Sequence, residues 1–333
     1  MPIKTYREAI NEALLQEMTK DENVVVIGED VAGGAGTNGE QDAWGGVLGV
    51  TKGLLKHFGR ERIIDTPITE TAIMGMASGA ALTGLRPVAE LMFVDFMGVC
   101  FDQILNQTAK FRYMFGGKAV TPLTIRTMYG GGLRAASQHS QCLYPMFTHV
   151  PGIKVVLPSN PYDAKGLLIQ SIRDNDPVIF MEHKNLYDTS GDVPDESYSI
   201  PFGEANFTRE GKDLTFIAMG QTVEICNKVA DTLKKEGKTC TVLDLRTLSP
   251  LDEDSILEAA EETGKIVIVD ESYPRCNVAT DISALICQKS FDSLKAGIKM
   301  VTPPHTPVPF SPPLEDLYLP SEEKVLNVAK EIL

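Results

Sequence analysis

Short apolar runs alternate with helix-like spacing of apolar positions from the start of the chain to about residue 185. Thr5 and Glu8 form the T-x-x-E pattern of a capping box, which predicts that the first helix starts here. Strands are then predicted at 24–27, 62–65, 87–93, 123–128, 153–157 and 178–181, and helices near 49–58, 70–83, 95–114 and 161–173. Short, nearly all-apolar strands that alternate with helices favour a parallel sheet covered by helices on both faces.

The pattern breaks between residues 186 and 201, where LYDTSGDVPDESYSIP is polar, acidic and rich in turn-forming residues. A second set of alternating elements follows this break. Its strands are predicted at 214–219, 240–245 and 266–269, its helices at 221–236, 252–263, 277–293 and 321–332, and its proline-rich residues 303–313 as irregular. The predicted fold class is therefore α/β, with two parallel-sheet domains at 1–185 and 203–333 and a linker at 186–202.

Composition narrows the class of protein further. The chain has 333 residues, 43% of them hydrophobic, and a formal net charge of −14. This acidity argues against nucleic-acid binding, which needs clustered Lys and Arg. No apolar run reaches the roughly 18 residues of a membrane helix. The start, MPIKTYREAINEALL, resembles neither a secretory signal nor a transit peptide. We therefore expect a cytoplasmic enzyme with no membrane or nucleic-acid partner.

The cysteines show no C-x-x-C pair and no spacing typical of a zinc site or a small disulfide scaffold. They are Cys100, Cys142, Cys226, Cys240, Cys276 and Cys287. We predict that they are reduced and pack in the interior, as free cysteines commonly do.

Three segments carry residues suited to chemistry. The glycine-rich stretch 28–49 begins where a predicted parallel strand ends, the usual place for a ligand, although a surface loop would have the same composition. In segment 62–84, Glu70 opens a helix with a small, apolar interior, so its carboxyl group should either cap the helix or titrate abnormally. In segment 130–144, His139 lies in a glycine-rich loop and is either a proton donor or an ordinary surface histidine.

Common catalytic and nucleotide-binding motifs are absent from the sequence. It contains no G-x-S-x-G, no H-E-x-x-H and no G-x-x-x-x-G-K-[ST], and no G-x-G-x-x-G directly joins a predicted strand to a helix. These absences argue against a serine hydrolase, a metal hydrolase and a phosphate-loop enzyme.

The three segments occur together and in order in one known family. The runs IIDTPITE, GLRPVAELMFVDF, DQILNQTAKFRYMFGG and AASQHSQ, with the end PPHTPVPFSPPLEDLYLP, closely resemble beta subunits of the thiamine-diphosphate-dependent first components of 2-oxoacid dehydrogenase complexes. That family includes pyruvate, branched-chain oxoacid and acetoin dehydrogenases, and the insert DAWGGVLGVTKGL at 42–54 resembles the acetoin branch. The resemblance implies a transketolase-like pyrimidine-binding domain followed by a transketolase C-terminal-type domain.

The resemblance also implies roles for individual residues. Glu70 matches the carboxyl group that binds N1′ of the cofactor's pyrimidine ring, where a raised pKa would strengthen the bond. His139 matches a loop histidine that serves proton transfer and the acylation of lipoamide. The positions that match other residues at the cofactor are Glu29, Met92, Phe96 and Tyr113. The positions that match a potassium site built from backbone carbonyls are Leu123, Ser171, Ile172, Asp174 and Asp176.

One missing motif bears on the partners. Thiamine enzymes hold the diphosphate through a magnesium ion bound at a G-D-G…N motif, and this chain contains no G-D-G. The resemblance therefore implies that an alpha subunit carries Mg²⁺ and the diphosphate half of the cofactor, within an α2β2 heterotetramer. It also implies docking to a lipoyl-bearing dihydrolipoamide acetyltransferase core, with the second domain mainly supporting dimerisation and docking.

The expected activity is that of an acetoin dehydrogenase beta subunit, which cleaves acetoin to acetaldehyde and transfers the acetyl group to lipoamide of the core. A pyruvate dehydrogenase (acetyl-transferring) beta subunit is the alternative within the family. A non-catalytic docking or assembly subunit is an alternative from another class, against which Glu29, Glu70 and His139 argue. A single-chain transketolase-like enzyme would need a diphosphate module that this chain lacks.

Overall fold

The computed structural model describes residues 1–33 and 45–333. Its strands are β1 (Ile3–Thr5), β2 (Val24–Gly28), β3 (Ile63–Asp65), β4 (Arg86–Phe93), β5 (Thr124–Tyr129), β6 (Lys154–Val156), β7 (Val178–His183), β8 (Ser190–Asp192), β9 (Asn206–Arg209), β10 (Leu214–Ala218), β11 (Cys240–Asp244), β12 (Thr247–Ser249), β13 (Ile266–Val269) and β14 (Lys299–Val301). Its α-helices are α1 (Tyr6–Lys20), α2 (Leu54–Phe58), α3 (Glu70–Leu82), α4 (Met97–Asp102), α5 (Phe111–Met114), α6 (Tyr144–Thr148), α7 (Pro161–Arg173), α8 (Thr222–Lys235), α9 (Glu253–Thr263), α10 (Val278–Lys289), α11 (Pro312–Tyr318) and α12 (Glu322–Lys330). The predicted glycine-rich stretch 28–49 and the insert 42–54 fall partly on 34–44, outside the described residues.

The first half of the chain, up to residue 202, supplies every strand except β12 of a sheet with the strand order β3-β2-β4-β5-β7-β6-β12. All strands of this sheet except β12 are mutually parallel, with Val26 beside Ile63 and Ile27 beside Ala89. Every residue of β2, β5 and β7 is buried, because α1 and α7 cover one face and α3 and α4 cover the other. The predicted parallel sheet with two covered faces is confirmed for these strands.

The second half forms a smaller sheet with the strand order β14-β13-β10-β11-β9. Strands β14, β13, β10 and β11 are parallel, and β9 is antiparallel to β11. Helices α8 and α12 pack on one face of this sheet, while α9 and α10 pack on the other. The second predicted α/β unit is therefore present, with two strands, β9 and β14, that the apolar pattern did not predict.

The two halves share one sheet and one apolar core. Strand β12 lies in the second half by sequence, but it pairs antiparallel with β6 and places Thr247 beside Val156. One apolar cluster includes residues from both halves, from Ile27 to Ile286. Each of the two predominantly parallel sheets therefore carries one antiparallel strand, β9 in the smaller sheet and β12 in the larger one. At this edge, β12 gives β6 hydrogen-bond partners that an edge strand would otherwise lack.

Two predicted helices are shorter than expected. The predicted helix 95–114 is divided into α4, a π-helical turn at Gln103–Thr108 and α5, with a non-helical backbone at Cys100. The predicted helix 49–58 is reduced to α2, since Gly49 and Gly53 adopt φ of +74° and +87°.

Two predicted irregular stretches contain regular structure. Residues 190–192 of the predicted linker form β8, which pairs antiparallel with β1 near the start of the chain. The proline-rich run ends in α11, because Pro312 occupies the first turn of a helix, where its missing N–H is not needed.

The predicted capping box is confirmed at the start of α1, where Thr5 and Glu8 bond to each other's backbone amides. All six cysteines are free, but Cys276 and Cys287 are exposed, so the prediction that they pack in the interior is wrong for these two. Cys287 lies on an exposed part of α10, and Cys276 lies in the turn before that helix. Across residues 1–33 and 45–333, no helix has both the length and the apolar character needed to cross a membrane.

Candidate active site

Glu29 and Glu70 lie at the carboxyl edge of the first sheet. Glu29 directly follows β2, and Glu70 opens α3 after the short turn that follows β3. Because Gly28 and Asp65 are paired across these two strands, the segments leave the sheet side by side. Only 8% of Glu29 and 9% of Glu70 is exposed. The structure therefore brings together two predicted site residues from separate segments.

The environment of this pair disfavours negative charge on Glu29. Burial raises the pKa of the Glu29 carboxyl group, and the charges of Glu70, Asp30 and Glu90 raise that pKa further. Within the described part of the chain, neither the Glu29 nor the Glu70 carboxylate has a hydrogen-bond donor or a basic partner. Because an unpaired buried carboxylate is costly, the pair is suited to a ligand that brings a donor.

Apolar and aromatic side chains lie at the end of the neighbouring strand β4. Met92 and Phe96 are half-buried there, as is Phe93, which was not among the predicted site residues. The His139 ring meets Phe93 and Phe96 edge to face, with ring centroids 5.0 and 5.4 Å apart. The structure thus brings His139 to the same edge of the sheet as Phe96, and these rings form a flat-sided apolar wall.

The loop that carries His139, residues 130–141, is called the His139 loop below. Although it is rich in glycine, it packs closely on its neighbours. A Cβ on Gly130 would lie 2.1 Å from His183 Nε2, and one on Gly132 would lie 2.1 Å from Asn185 Nδ2. The glycines therefore permit close approach of the loop to the residues that follow β7.

Two polar contacts from the first half hold the His139 end of this loop. Lys184, which is buried, donates from Nζ to the carbonyl oxygen of His139. Gln141 donates to Asp95 Oδ1 through its backbone amide at 3.2 Å and through Nε2 at 2.9 Å. A charged residue directly after a buried strand was the available sequence signal for Lys184, since such a charge needs a partner.

A buried charge network lies beside the site and was not predicted. Arg126 in β5 donates to both carboxylate oxygens of Glu182, at 2.6 and 2.8 Å, and to Glu90 at 2.9 Å. Tyr187 donates to the same Glu182 carboxylate at 2.5 Å. The sequence signal was a single Arg or Glu within otherwise apolar strands, because buried charges require paired partners. Through Glu90, this network is linked electrostatically to Glu29.

Tyr113 lies at the opposite edge of the sheet from the Glu29–Glu70 pair. It is 89% exposed. It borders a cavity of about 580 Å³, together with Lys154 and Asp176, at the amino ends of β5, β6 and β7. The structure of this chain therefore does not bring Tyr113 to the two carboxylates.

The predicted potassium residues lie near that same edge. The carbonyl oxygens of Ile172 and Asp174 accept hydrogen bonds from Arg86 Nη1 at 3.1 and 3.0 Å. The Leu123 carbonyl accepts a bond from the Val178 amide at 2.9 Å. These three of the five predicted carbonyl groups therefore already accept a hydrogen bond, two of them from the positively charged guanidinium of Arg86. The side chain of Asp174 pairs with Lys154, and that of Asp176 with Arg112.

Comparisons with known proteins agree with this architecture. The model of the transketolase pyrimidine-binding domain matches residues 4–189, and that of the transketolase C-terminal domain matches residues 203–325. A Cupriavidus necator protein named acetoin:2,6-dichlorophenolindophenol oxidoreductase subunit beta is 63% identical over 325 residues, which cover 98% of this chain and 96% of the relative. The Bacillus subtilis protein of the same name is 59% identical over 328 residues, with the same two coverages of 98% and 96%.

More distant relatives extend the comparison. The Bacillus subtilis pyruvate dehydrogenase E1 component subunit beta is 44% identical over 330 residues, which cover 99% of this chain and 98% of the relative. A solved structure described as a split-gene transketolase, an inactive beta4 tetramer, is similar with a TM-score of 0.78 at 20% identity and covers 98% of this chain and 97% of its own. That likeness confirms the predicted fold of two transketolase-type units.

Proposed function

Because the chain belongs to the family of acetoin and 2-oxoacid dehydrogenase beta subunits, we propose that it forms half of the active site of a thiamine-diphosphate-dependent acetoin dehydrogenase. The choice of acetoin rests on sequence identity, which is higher to the acetoin-linked subunits than to the pyruvate dehydrogenase subunit. Two acetoin-linked subunits reach 63% and 59%, whereas the pyruvate dehydrogenase subunit reaches 44% over a similar length.

The proposed reaction breaks the carbon–carbon bond between the carbonyl and hydroxyl-bearing carbons of acetoin and releases acetaldehyde. The remaining two-carbon unit passes as an acetyl group to lipoamide. Two electrons reduce the lipoyl disulfide, one sulfur forms the acetyl thioester and the other sulfur takes a proton. Thiamine diphosphate, when bound, would supply the nucleophilic ring carbon for this cleavage.

The residues at the carboxyl edge fit the pyrimidine end of thiamine diphosphate. The Glu70 carboxylate lacks a donor among the described residues, and a pyrimidine ring offers polar nitrogen groups at its edge. Met92 and Phe96 offer polarisable and aromatic surfaces for the flat ring. The charged groups that raise the pKa of Glu29 are all carboxylates, and their negative charges would repel a diphosphate placed here. We therefore place the diphosphate, together with the Mg²⁺ that accompanies it, on a partner chain.

Glu70 would bind and orient the pyrimidine through the ring nitrogen N1′. Its place at the first turn of α3 fixes the carboxyl group on a rigid element. Glu29 would lie beside it as a second carboxyl group whose raised pKa favours the neutral, proton-carrying form.

His139 would donate the proton that the departing lipoyl sulfur takes up, because an imidazole exchanges protons near neutral pH. Its ring already meets Phe93 and Phe96, so the apolar wall holds the imidazole in one orientation. The exposed Tyr113 would contact the margin of the site only within an assembly of chains.

The proposed assembly is an α2β2 heterotetramer in the cytoplasm. An alpha subunit carries Mg²⁺, and a lipoyl-bearing dihydrolipoamide acetyltransferase core accepts the acetyl group. The proposed domain organisation is a first domain at 1–185, a linker at 186–202 and a second domain at 203–333. A potassium ion is proposed at the carbonyl groups of Leu123, Ser171, Ile172, Asp174 and Asp176.

Co-expression with the alpha subunit tests the choice of substrate. We expect the purified complex to reduce 2,6-dichlorophenolindophenol with acetoin at a kcat/KM at least tenfold above that with pyruvate. Turnover of pyruvate but not of acetoin would establish the pyruvate alternative instead. If the complex binds no thiamine diphosphate in a titration, this chain is a docking subunit and not part of an enzyme.

Glu70→Gln tests the assigned role of the carboxyl group. We expect kcat to fall by about 10²–10⁴, a loss typical of removing a positioned acid or base, while the subunits still assemble. Glu61→Gln, at an exposed position before β3, is the matched control and should leave kcat unchanged. Near-normal turnover by Glu70→Gln would defeat the proposed mechanism.

A further inference from the structure

The second half of the chain reaches the His139 loop with two buried carboxylates. Glu271 follows β13, and its Oε1 accepts the backbone N–H of Gly131 at 2.7 Å. Glu315 lies in α11, and its Oε1 accepts the backbone N–H of Gly132, also at 2.7 Å. Their exposed fractions are only 7% and 0%. Two consecutive loop amides are therefore bound by acidic side chains from two separate elements.

Each carboxylate is fixed by a second partner. His183 Nε2 lies 2.9 Å from Glu271 Oε2. Burial alone would raise the pKa of Glu271, but His183 and the Gly131 amide hold that pKa below its ordinary value. Arg134, which belongs to the loop itself, donates from Nη1 to Glu315 Oε2 at 2.8 Å. Both oxygens of each carboxylate are thus bonded, which fixes the two side chains as acceptors for the loop amides.

The loop backbone needs this support. Arg134 and Ala136 adopt φ of +56° and +59°. Such conformations are unfavourable for residues with a Cβ and persist where surrounding contacts fix them. A Cβ on Gly131 would lie 2.8 Å from Leu319 Cδ2 and 3.3 Å from Glu315 Oε1. The region around α11 therefore packs directly on the loop and leaves it no room to shift.

We propose that Glu271 and Glu315 are positioning residues of the second half that hold the His139 loop, and hence the imidazole, in place for transfer of the acetyl group to lipoamide. The role in transfer rests on the proposed function, in which His139 protonates the departing sulfur. The second half then completes the active site of the first half, in addition to any part it takes in dimerisation and docking.

Hydrogen–deuterium exchange on the co-expressed complex tests the positioning without using activity. Glu315→Ala removes the acceptor of the Gly132 amide, and we expect exchange in the peptide 130–141 to become at least tenfold faster. Glu315→Gln keeps an oxygen acceptor and should restore most of the protection. Glu253→Gln, at an exposed residue of the same half that pairs with Lys289 at 2.6 Å, is the control and should leave loop exchange unchanged.

A second variant guards against loss of folding in Glu315→Ala. Gly131→Ala keeps both carboxylates but places a Cβ against Leu319 and Glu315. We expect it to push the loop off the α11 region and to speed exchange of the same peptide. Unchanged loop exchange in both variants would overturn the proposal.

Two electron acceptors test the link to transfer. The dye 2,6-dichlorophenolindophenol accepts electrons without any sulfur being protonated, whereas transfer to lipoamide requires a proton on the departing lipoyl sulfur. We expect Glu315→Ala to lower kcat with lipoamide at least tenfold, with KM nearly unchanged, and to lower the dye-linked rate less than threefold. An equal loss with both acceptors would overturn the assigned role in transfer. A wild-type complex that turns over neither acetoin nor pyruvate would defeat the proposed function instead, and the exchange data would still decide whether the carboxylates hold the loop.

Discussion

Asp244 lies where the two halves meet, and its protonation makes the stability of the protein depend on pH. It ends β11 and accepts a hydrogen bond from Ser159 of the first half. Asp163 of α7 lies in the same buried cluster, where Arg246 binds it at 3.0 and 2.7 Å. Burial, followed by the charge of Asp163, raises the pKa of Asp244 to about 7. The folded protein therefore favours the neutral form of this carboxyl group.

Asp244→Asn should make stability less dependent on pH. The folded pKa of about 7 lies above the unfolded value of about 3.9, so the contribution of Asp244 is fully present below about pH 4 and is lost as pH rises through 7. We expect the variant to gain roughly 1–3 kcal/mol relative to the wild type between about pH 5.5 and pH 8.5. Chemical denaturation at both pH values measures this difference. Asp254→Asn, at an exposed position, is the control, and an equal response of the two variants would contradict the expectation.

Sequence reasoning reached some site residues and missed others for a definable reason. The family resemblance named Glu29 and Glu70, and each also follows a recognisable apolar strand, whose end lies at one edge of a parallel sheet. The positioning carboxylate of Glu315 is 183 residues from the Gly132 amide that it binds. No local pattern records such a pairing, so only the folded chain reveals it.

At the scale of elements, the run of glycines that opens the His139 loop is an adaptation to close packing. Gly130 and Gly237 have similar φ of +93° and +80°. A Cβ on Gly130 would meet the buried His183 ring at 2.1 Å, whereas among the described residues nothing lies within 4 Å of a Cβ on Gly237. A residue with a Cβ would therefore be strained by the backbone at either position, but only at Gly130 would it also clash with a neighbouring side chain.

Gly130→Ala should accordingly destabilise the protein much more than Gly237→Ala. Both substitutions incur the backbone cost of about 1 kcal/mol for a residue with a Cβ at positive φ. Only Gly130→Ala must also displace His183 and disturb its contact with Glu271. Thermal unfolding should show a Tm several degrees lower for Gly130→Ala than for Gly237→Ala. Equal Tm values would show that the loop yields easily at this point.

Elements with a clear pattern of apolar residues were predicted with accurate bounds. The predicted helix 161–173 is α7, with identical bounds, and the predicted strand 266–269 is β13. Strands β1, β8 and β12 were missed because their sequences, IKT, SGD and TLS, contain no run of apolar residues, whereas β3 and β6 have the same length but do. Such short strands exist through the partners they pair with, which are distant in the sequence.

At the scale of the whole molecule, the shared sheet makes the two halves one structural unit. Strand β12 adds to the edge of the first sheet, and Ser249 Oγ donates to the Ile153 carbonyl at 3.1 Å. The largest apolar cluster also includes side chains from both halves. Neither half buries its apolar surface fully without the other.

We therefore expect the chain to unfold in a single transition despite its two sheets. Differential scanning calorimetry should give one peak for the isolated chain, with a calorimetric enthalpy close to the van't Hoff enthalpy. Two resolved peaks would show that the halves unfold independently.

The crossing of β12 also limits how this protein can exchange parts with its relatives. A recombinant that joins residues 1–202 of this chain to the second half of a relative would bring a foreign strand to the edge of β6. Its side chains would have to pack beside Val155 and Val156 of this chain. A recombinant joined after Ser249 would instead keep β12 of this chain beside β6 and so preserve the pairing that links the two halves.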